Sequence, residues 1–250
     1  MLNTINIEDI KNIALYAGVV IMDIYKKDFT VDYKDDNSPL TEADIKANEL
    51  ICSKLIELYP NIPIMSEENK QTEFDIRKNW EYYWCIDPID GTKEFIKKNG
   101  EFTVNIALIH KNTPLLGVVY APVLNDIYYS NGNNSYKNNE KLPLKINQNP
   151  KDKLSVVASK SHLSTETQEF IDKLDTKEIE QVSKGSSLKL CMVATGEADI
   201  YPRLAPTMEW DTAAADAVVR GAGKMTYQYK SNEPMSYNKE NLLNPWFIVK

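Results

Sequence analysis

The chain has 250 residues, of which 42% are hydrophobic and 26% charged, with a formal net charge of -7. That balance supplies a large core and excludes a disordered chain. The acidic excess argues against nucleic-acid binding, because a phosphate-tracking face needs clustered cations; a small anionic ligand stays open if local cations mediate the contact.

The first apolar window, "IALYAGVVIMDIY", is too short to cross a bilayer and is broken by Asp23 and then Lys26 and Lys27, so no stable membrane insertion is expected. The acidic start lacks the features of a signal peptide, and Cys52, Cys85 and Cys191 stand in no metal or disulfide spacing. Both point to a reducing, cytoplasmic setting with buried thiols. The sequence is compatible with a monomer or a homodimer.

Ile10, Ile13, Ala14, Ala17, Ile21 and Ile24 recur at three- and four-residue steps, which predicts a helix over 7–27. A second helix is predicted over 41–58, with Ala47, Leu50, Ile51, Leu55 and Leu58 on its apolar face, closed by "YPNIP". Short β-rich pieces follow, "IPIMS", "YYWCI", "FTVNIALIH", "LLGVVYAP" and "DIYYS", and the rhythm over 102–130 predicts an antiparallel meander. The polar stretch over 130–150 marks the expected boundary between an N-terminal metal-binding half (1–150) and a C-terminal α/β half (151–250). In the second half we expect a strand at "LSVVAS", a helix over 165–174, a short strand, a helix over 187–195, a strand at "ADIYPR", a helix after Asp211 and a closing strand at "PWFIVK".

Carboxylates gather where apolar runs end: Glu67 and Glu68 after "IPIMS", Asp87 and Asp90 after "YYWCI", Asp44 early in the second helix, and Asp211 after Trp210. A carboxylate in such a place is costly unless it is paired or bound to a cation, and Lys93 is the only cation beside them in sequence. With two histidines in the chain and no cysteine cluster, zinc is disfavoured and magnesium is the expected ion, held by a few carboxylates with positions left for phosphate oxygens. Two such ions roughly 3.5–4 Å apart would activate a water on one side of a phosphorus and stabilise the leaving oxygen on the other.

In "DPIDGT", Pro88 bends the chain, Asp87 and Asp90 turn toward one point, and the Gly91 and Thr92 amides face an anion. A strand-to-helix turn with an N-capping Asp is the plainer reading of those six residues alone. A phosphatase with an aspartyl nucleophile in "DxDGT" fits poorly, because two residues separate the aspartates here and the motif lies in mid-chain.

Taken together, "PLTEAD" (39–44), "SEE" (66–68), "DPIDGTKEF" (87–95) and "EWDTAAADAV" (209–218) resemble the inositol monophosphatase superfamily of magnesium-dependent, lithium-sensitive phosphatases. Within it, "DGTKEF", "GSSLKLCMVATGEADIYPR" and "PTMEWDTAAA" look most like the 3'(2'),5'-bisphosphate nucleotidases of sulfur metabolism. The resemblance implies an α+β fold, a layered αβαβα sandwich.

It also implies roles. Glu67, Asp87 and the Ile89 carbonyl would hold one Mg2+, and Asp87, Asp90 and Asp211 a second. Thr92, paired with Glu67, would orient the attacking water, and the Gly91 and Thr92 amides would grip the phosphate, with Asp211 also among the substrate contacts. Asp44, near Glu68, would serve a third ion or activate a second water through a threonine. The segment 33–38 would cover the site, and His162 falls in a substrate-contacting loop.

A structural reading stands beside several of these. Asp44 completes a cap with Thr41, Glu68 is a solvated neighbour of Glu67, Asp211 is an N-cap, and His162 is a surface loop residue.

For specificity, Gly185 and Ser186 open a helix with Lys189 one turn on, and Arg203 lies in "YPR"; this set suits the second phosphate of a bisphosphate, against a reading as solvated charges. Glu209 keeps an inositol phosphatase in view, since such enzymes offer an acid to sugar hydroxyls near the last motif. The expected reaction is in-line attack of metal-activated water on the 3'-phosphate of adenosine 3',5'-bisphosphate, giving AMP and phosphate without a covalent intermediate. A noncatalytic nucleotide- or metal-binding protein is the remaining alternative.

Overall fold

The computed structural model describes residues 5–27, 29–33, 39–158 and 164–250. Helix α1 (Ile7–Tyr25) starts at Asn6, whose side chain accepts the Glu8 amide at 3.1 Å, and buries Ile10, Ile13, Ala14, Ala17, Ile21 and Ile24. Each buried isoleucine contributes about 1.5–3 kcal/mol against about 1 kcal/mol for the cap, so packing rather than capping holds α1 in place. A two-stranded antiparallel ribbon, β1 (Val31–Tyr33) and β2 (Pro39–Thr41), leads into α2 (Glu42–Leu58). The second helix lies against the first and buries Ala43, Ala47, Ile51 and Leu55.

Both helices cover one face of a seven-stranded sheet. Its strands in order are β3 (Ile64–Ser66), β4 (Tyr82–Asp90), β5 (Thr103–His110), β6 (Thr113–Ala121), β7 (Asp126–Ser130), β8 (Ser135–Lys137) and β9 (Glu140–Lys141). Short helices α3 (Phe74–Arg77) and α4 (Thr92–Ile96) precede and follow β4. The pair β3–β4 is parallel and the rest is the antiparallel meander expected over 102–130. Trp84 and Ile86 face α1 and α2 while Tyr83 and Cys85 face the other way, so β4 is buried on both sides and reads as a continuous apolar run.

The second half supplies β10 (Lys153–Val157), α5 (Thr165–Asp172), β11 (Glu178–Val182), α6 (Leu188–Thr195), β12 (Tyr201–Arg203), α7 (Glu209–Gly221), β13 (Thr226–Gln228) and β14 (Phe247–Val249). Strands β10 and β11 pair in parallel, and β12, β14 and β13 form an antiparallel sheet. A parallel bridge between Val156 and Ile200, with the Val157 amide 2.8 Å from the Ile200 carbonyl, links the two. Helices α6 and α7 lie between this layer and the large sheet, and Ile171 of α5 packs with Val156, Ile200 and Ile248 on its outer side. The result is the αβαβα sandwich.

Helix α7 packs on β4, β5, β6 and β7 through Ala213, Ala214, Ala217 and Val218, and its small side chains let it lie close to the strands. One core therefore contains Met65, Tyr83 and Cys85 from the first half and Leu188, Val193 and Trp210 from the second. This shared core delivers the first turn of α7 to the end of β4.

Candidate active site

Parallel pairing sets Ser66 beside Ile86, and β3 ends there, so the next residues, Glu67 and Asp87, emerge side by side with the Glu67 amide 3.1 Å from the Ile86 carbonyl. Strand β4 continues past this point. Its register with β5 shifts between Asp87, opposite Asn105, and Asp90, opposite Thr103, so that Pro88 and Ile89 oppose Val104 alone. This is a β-bulge, which tolerates a proline and re-aims the side chains around it. Pro88 thus sits inside the strand rather than after it. The Ile89 amide bonds Asp87 Oδ1 at 3.0 Å, fixing that carboxylate.

The third partner comes from α7. The helix begins at Glu209, three residues earlier than expected, and Asp211 stands in its first turn, where its Oδ2 accepts the Met208 amide at 2.8 Å. One carboxylate oxygen from each of Glu67, Asp87 and Asp211 lies within 4.8 Å of the others. Asp90 borders this triad, with its Oδ2 2.7 Å from Ser187 Oγ. Burial, then Glu67, Asp90, Asp211 and Asp44, push the Asp87 carboxyl well above the usual range; burial and then Asp90 push Asp211 up to about 8. Burial also raises Asp90, against the lowering effect of Ser187 and Lys189. Mutually repelling carboxylates in a part-buried site are the electrostatic mark of a cation site.

Asp44 divides its two oxygens. Oδ2 accepts the Thr41 amide at 2.8 Å and lies 2.5 Å from the Thr41 hydroxyl, completing a capping box at the start of α2. Oδ1 lies 3.3 Å from the Thr92 hydroxyl, which is also 3.3 Å from the Ile89 carbonyl, so Thr92 contacts Asp44 where Glu67 was the expected partner. The capping reading of Asp44 therefore holds alongside a contact with the site. Gly91 adopts φ +94, the left-handed conformation that turns β4 into α4. Gly185 presses on the 101 turn, where an added Cβ would sit 2.5 Å from the Glu101 carbonyl; the "GSS" turn thereby abuts the "DGT" turn.

Asp90, Ser186, Lys189, Arg203, Thr207 and Asp211 line a cavity of about 90 Å3. Among the described residues no carboxylate lies within ion-pair distance of Lys189 or Arg203. The Lys189 ammonium has a contact of 3.4 Å to the Lys184 carbonyl, and the Arg203 guanidinium one of 3.0 Å to the Pro206 carbonyl, with Nε buried and unpartnered. Burial pushes the Lys189 ammonium down, Asp90 opposes that and Arg203 adds to it. Two cations thus stand at one end of a carboxylate cluster. Of two larger hollows, one of about 470 Å3 has Lys78, Glu81 and Lys111 on its lining, with Lys78 paired to Asp75, and one of about 320 Å3 lies beside Tyr229 and Trp246; neither includes a residue of the carboxylate cluster.

Glu209 does not face this cavity. Its carboxylate is fully buried and accepts the Asn238 amide at 2.7 Å, the Lys239 amide at 3.0 Å and the Lys239 ammonium at 2.5 Å, so it offers nothing to a sugar hydroxyl. His162 and the segment 34–38 lie outside the described residues. Sequence reasoning missed Asn105, Ser187 and Thr207; for Asn105 the available signal was one amide in the apolar strand "TVNIALIH".

A sequence profile described as "Inositol monophosphatase family" matches residues 2–245. The chain belongs to the inositol monophosphatase family. Among family relatives, the "3'(2'),5'-bisphosphate nucleotidase CysQ" of Escherichia coli strain K12 is 43% identical over 97% of this chain and 98% of that protein. The protein of that name from Haemophilus influenzae is 37% identical over 95% and 89%. The crystal structure of CysQ from Bacteroides thetaiotaomicron, a bacterial member of the family, superposes with a TM-score of 0.85 at 46% identity, covering 95% of this chain and 94% of that one. The Bartonella henselae suhB structure shares the fold, with a TM-score of 0.77 at 22% identity over 97% of this chain and 92% of the other.

Family enzymes are metal-dependent. The residues here fit a hard divalent ion: the donors that converge are all carboxylate oxygens, and burial with like-charge repulsion raises the proton affinity of Asp87 and Asp211 in the absence of a cation.

Proposed function

We propose that this chain is a magnesium-dependent phosphatase that hydrolyses the 3'-phosphate of adenosine 3',5'-bisphosphate to AMP and phosphate. The observation that carries the substrate choice is the Lys189–Arg203 pair in the cavity beside Asp90 and Asp211, two cations with no carboxylate within ion-pair distance among the described residues. A monophosphate substrate would leave them unused. The names of the CysQ relatives support the same reading, and the burial of Glu209 against Lys239 removes the feature that favoured an inositol substrate.

In this reading Glu67, Asp87, Asp90, Asp211 and the Ile89 carbonyl hold two Mg2+ ions, with Asp44 near a third position. When bound, the ions supply neutralisation of phosphoryl charge and polarisation of water. The Gly91 and Thr92 amides hold the oxygens of the reacting phosphate, and Lys189 and Arg203 fix the 5'-phosphate, with Ser186 and the 185–186 turn beside them. The Thr92 hydroxyl donates to Asp44 Oδ1, which leaves its lone pairs to accept a hydrogen bond from water and orient that water toward phosphorus. The new P–O bond forms in line with the breaking bond to the 3'-oxygen, the water proton passes by way of Thr92 toward Asp44, and the departing oxygen takes up a proton from a solvent water.

Chromatography of the product tests this assignment. AMP carrying its 5'-phosphate is expected; adenosine 3'-monophosphate as the product would place the substrate the other way round.

A further inference from the structure

We propose that Asn105 and Ser187 are positioning residues that hold Asp90 and the first turn of α7 in the arrangement that takes up the divalent cation. The inference rests on the cation-site reading above.

Asn105 lies in the middle of β5, directly opposite Asp87 in the ladder, and is 1% exposed among apolar neighbours. Burying an amide there costs about 1–3 kcal/mol for each group left unsatisfied, and among the described residues Oδ1 has no partner. An apolar residue would suit the strand better, so the amide is placed for its other end. Its Nδ2 lies 2.8 Å from Ser187 Oγ and 3.5 Å from Asp90 Oδ2.

Ser187, equally buried, is where the elements meet. Its hydroxyl oxygen is 2.7 Å from Asp90 Oδ2 and 2.6 Å from the backbone carbonyl of Asp211. With the Asn105 amide donating to one lone pair, the single hydroxyl proton is left for one of these two acceptors at a time, Asp90 Oδ2 or the Asp211 carbonyl. Strand β5, the bulge of β4, the start of α6 and the start of α7 are thus tied together by one oxygen. The carboxylates of Asp90 and Asp211 repel one another, and neutral donors are what keep them adjacent before a cation arrives. Outer partners of this kind typically carry about 10–100-fold in metal affinity.

The test is calorimetric titration of Mg2+ into chelator-stripped full-length protein without substrate, using Ser187→Ala, Asn105→Ser, the double variant and Ser187→Thr. Ser187→Ala and Asn105→Ser are each expected to weaken Mg2+ by about tenfold while metal-free melting falls by only a few degrees. The double variant should be no weaker than the worse single one, because both break the same relay, and Ser187→Thr, which keeps the hydroxyl, should recover most of the affinity. Wild-type affinity in both single variants, or losses that add, would overturn the relay. If Asn105→Ser does not fold, Ser187→Ala against Ser187→Thr decides alone, with equal affinities counting against the proposal. Wild-type protein that binds no Mg2+ would remove the cation-site reading and this inference together, an outcome distinct from variants that bind as wild type does.

Discussion

The hydroxyl of Thr92 sits 3.3 Å from Oδ1 of Asp44 while the other oxygen of that carboxylate closes the capping box of α2. One side chain therefore joins the start of a core helix to the turn that follows the β4 bulge. The two tasks separate by mutation. Thr41→Ala should lower stability by about 1 kcal/mol, seen as a lower midpoint in denaturant, and leave kcat within a few-fold. Asp44→Asn keeps a cap acceptor but loses the proton acceptor, and kcat should fall about 10²–10⁴-fold with a smaller change in midpoint. Equal kcat losses in the two variants would tie Asp44 to the fold alone.

The cations of the small cavity predict a binding defect. Lys189→Met should raise KM for adenosine 3',5'-bisphosphate by about tenfold or more with kcat nearly kept, the pattern of lost uniform binding. Adenosine 3'-monophosphate, which lacks the second phosphate, should be handled alike by wild type and variant. Kinetics on both substrates check this, and an equal penalty on both would move Lys189 into general stabilisation of α6.

Without metal, the carboxylates hold protons that the unfolded chain releases. Asp211 is raised to about 8 and Asp87 well above its usual value. A raised carboxyl contributes stability in full below the unfolded value of about 3.9 and loses it as pH climbs through the folded one. Chelator-treated protein should therefore melt at progressively lower temperature from about pH 4 to about pH 8, and the rise in melting temperature produced by Mg2+ should grow over the same window because protons and metal compete. A Mg2+-induced shift independent of pH would contradict it.

Helices α1 and α2 were legible because a 3.6-residue apolar stripe survives in single sequence, and the meander because its strands are bounded by turn residues. The ribbon of β1 and β2, helix α3, and strands β8, β9 and β13 are two to four residues long, and such segments take their structure from neighbours rather than from their own pattern. Asp87 and Asp90 announced themselves as carboxylates at the end of an apolar run. That Glu67 stands beside Asp87 follows only from the parallel register of β3 on β4, a long-range fact. Ser187 and Asn105 act through contacts 82 and 15 positions away in sequence, and no local pattern distinguishes them from a helix-opening serine and a strand amide.

The central claim is that acidic side chains from the end of β4, the residue after β3 and the start of α7 converge on Mg2+ next to a phosphate-binding turn. Phosphate release should be measured on chelator-stripped protein during Mg2+ titration, with adenosine 3',5'-bisphosphate and inositol 1-phosphate side by side, for wild type and Asp90→Asn. The account predicts turnover that requires Mg2+, a higher kcat/KM for the bisphosphate, and a loss of about 10²–10³-fold or more in Asp90→Asn without loss of fold. Metal-independent turnover, or near-normal activity of Asp90→Asn at saturating Mg2+, would contradict it.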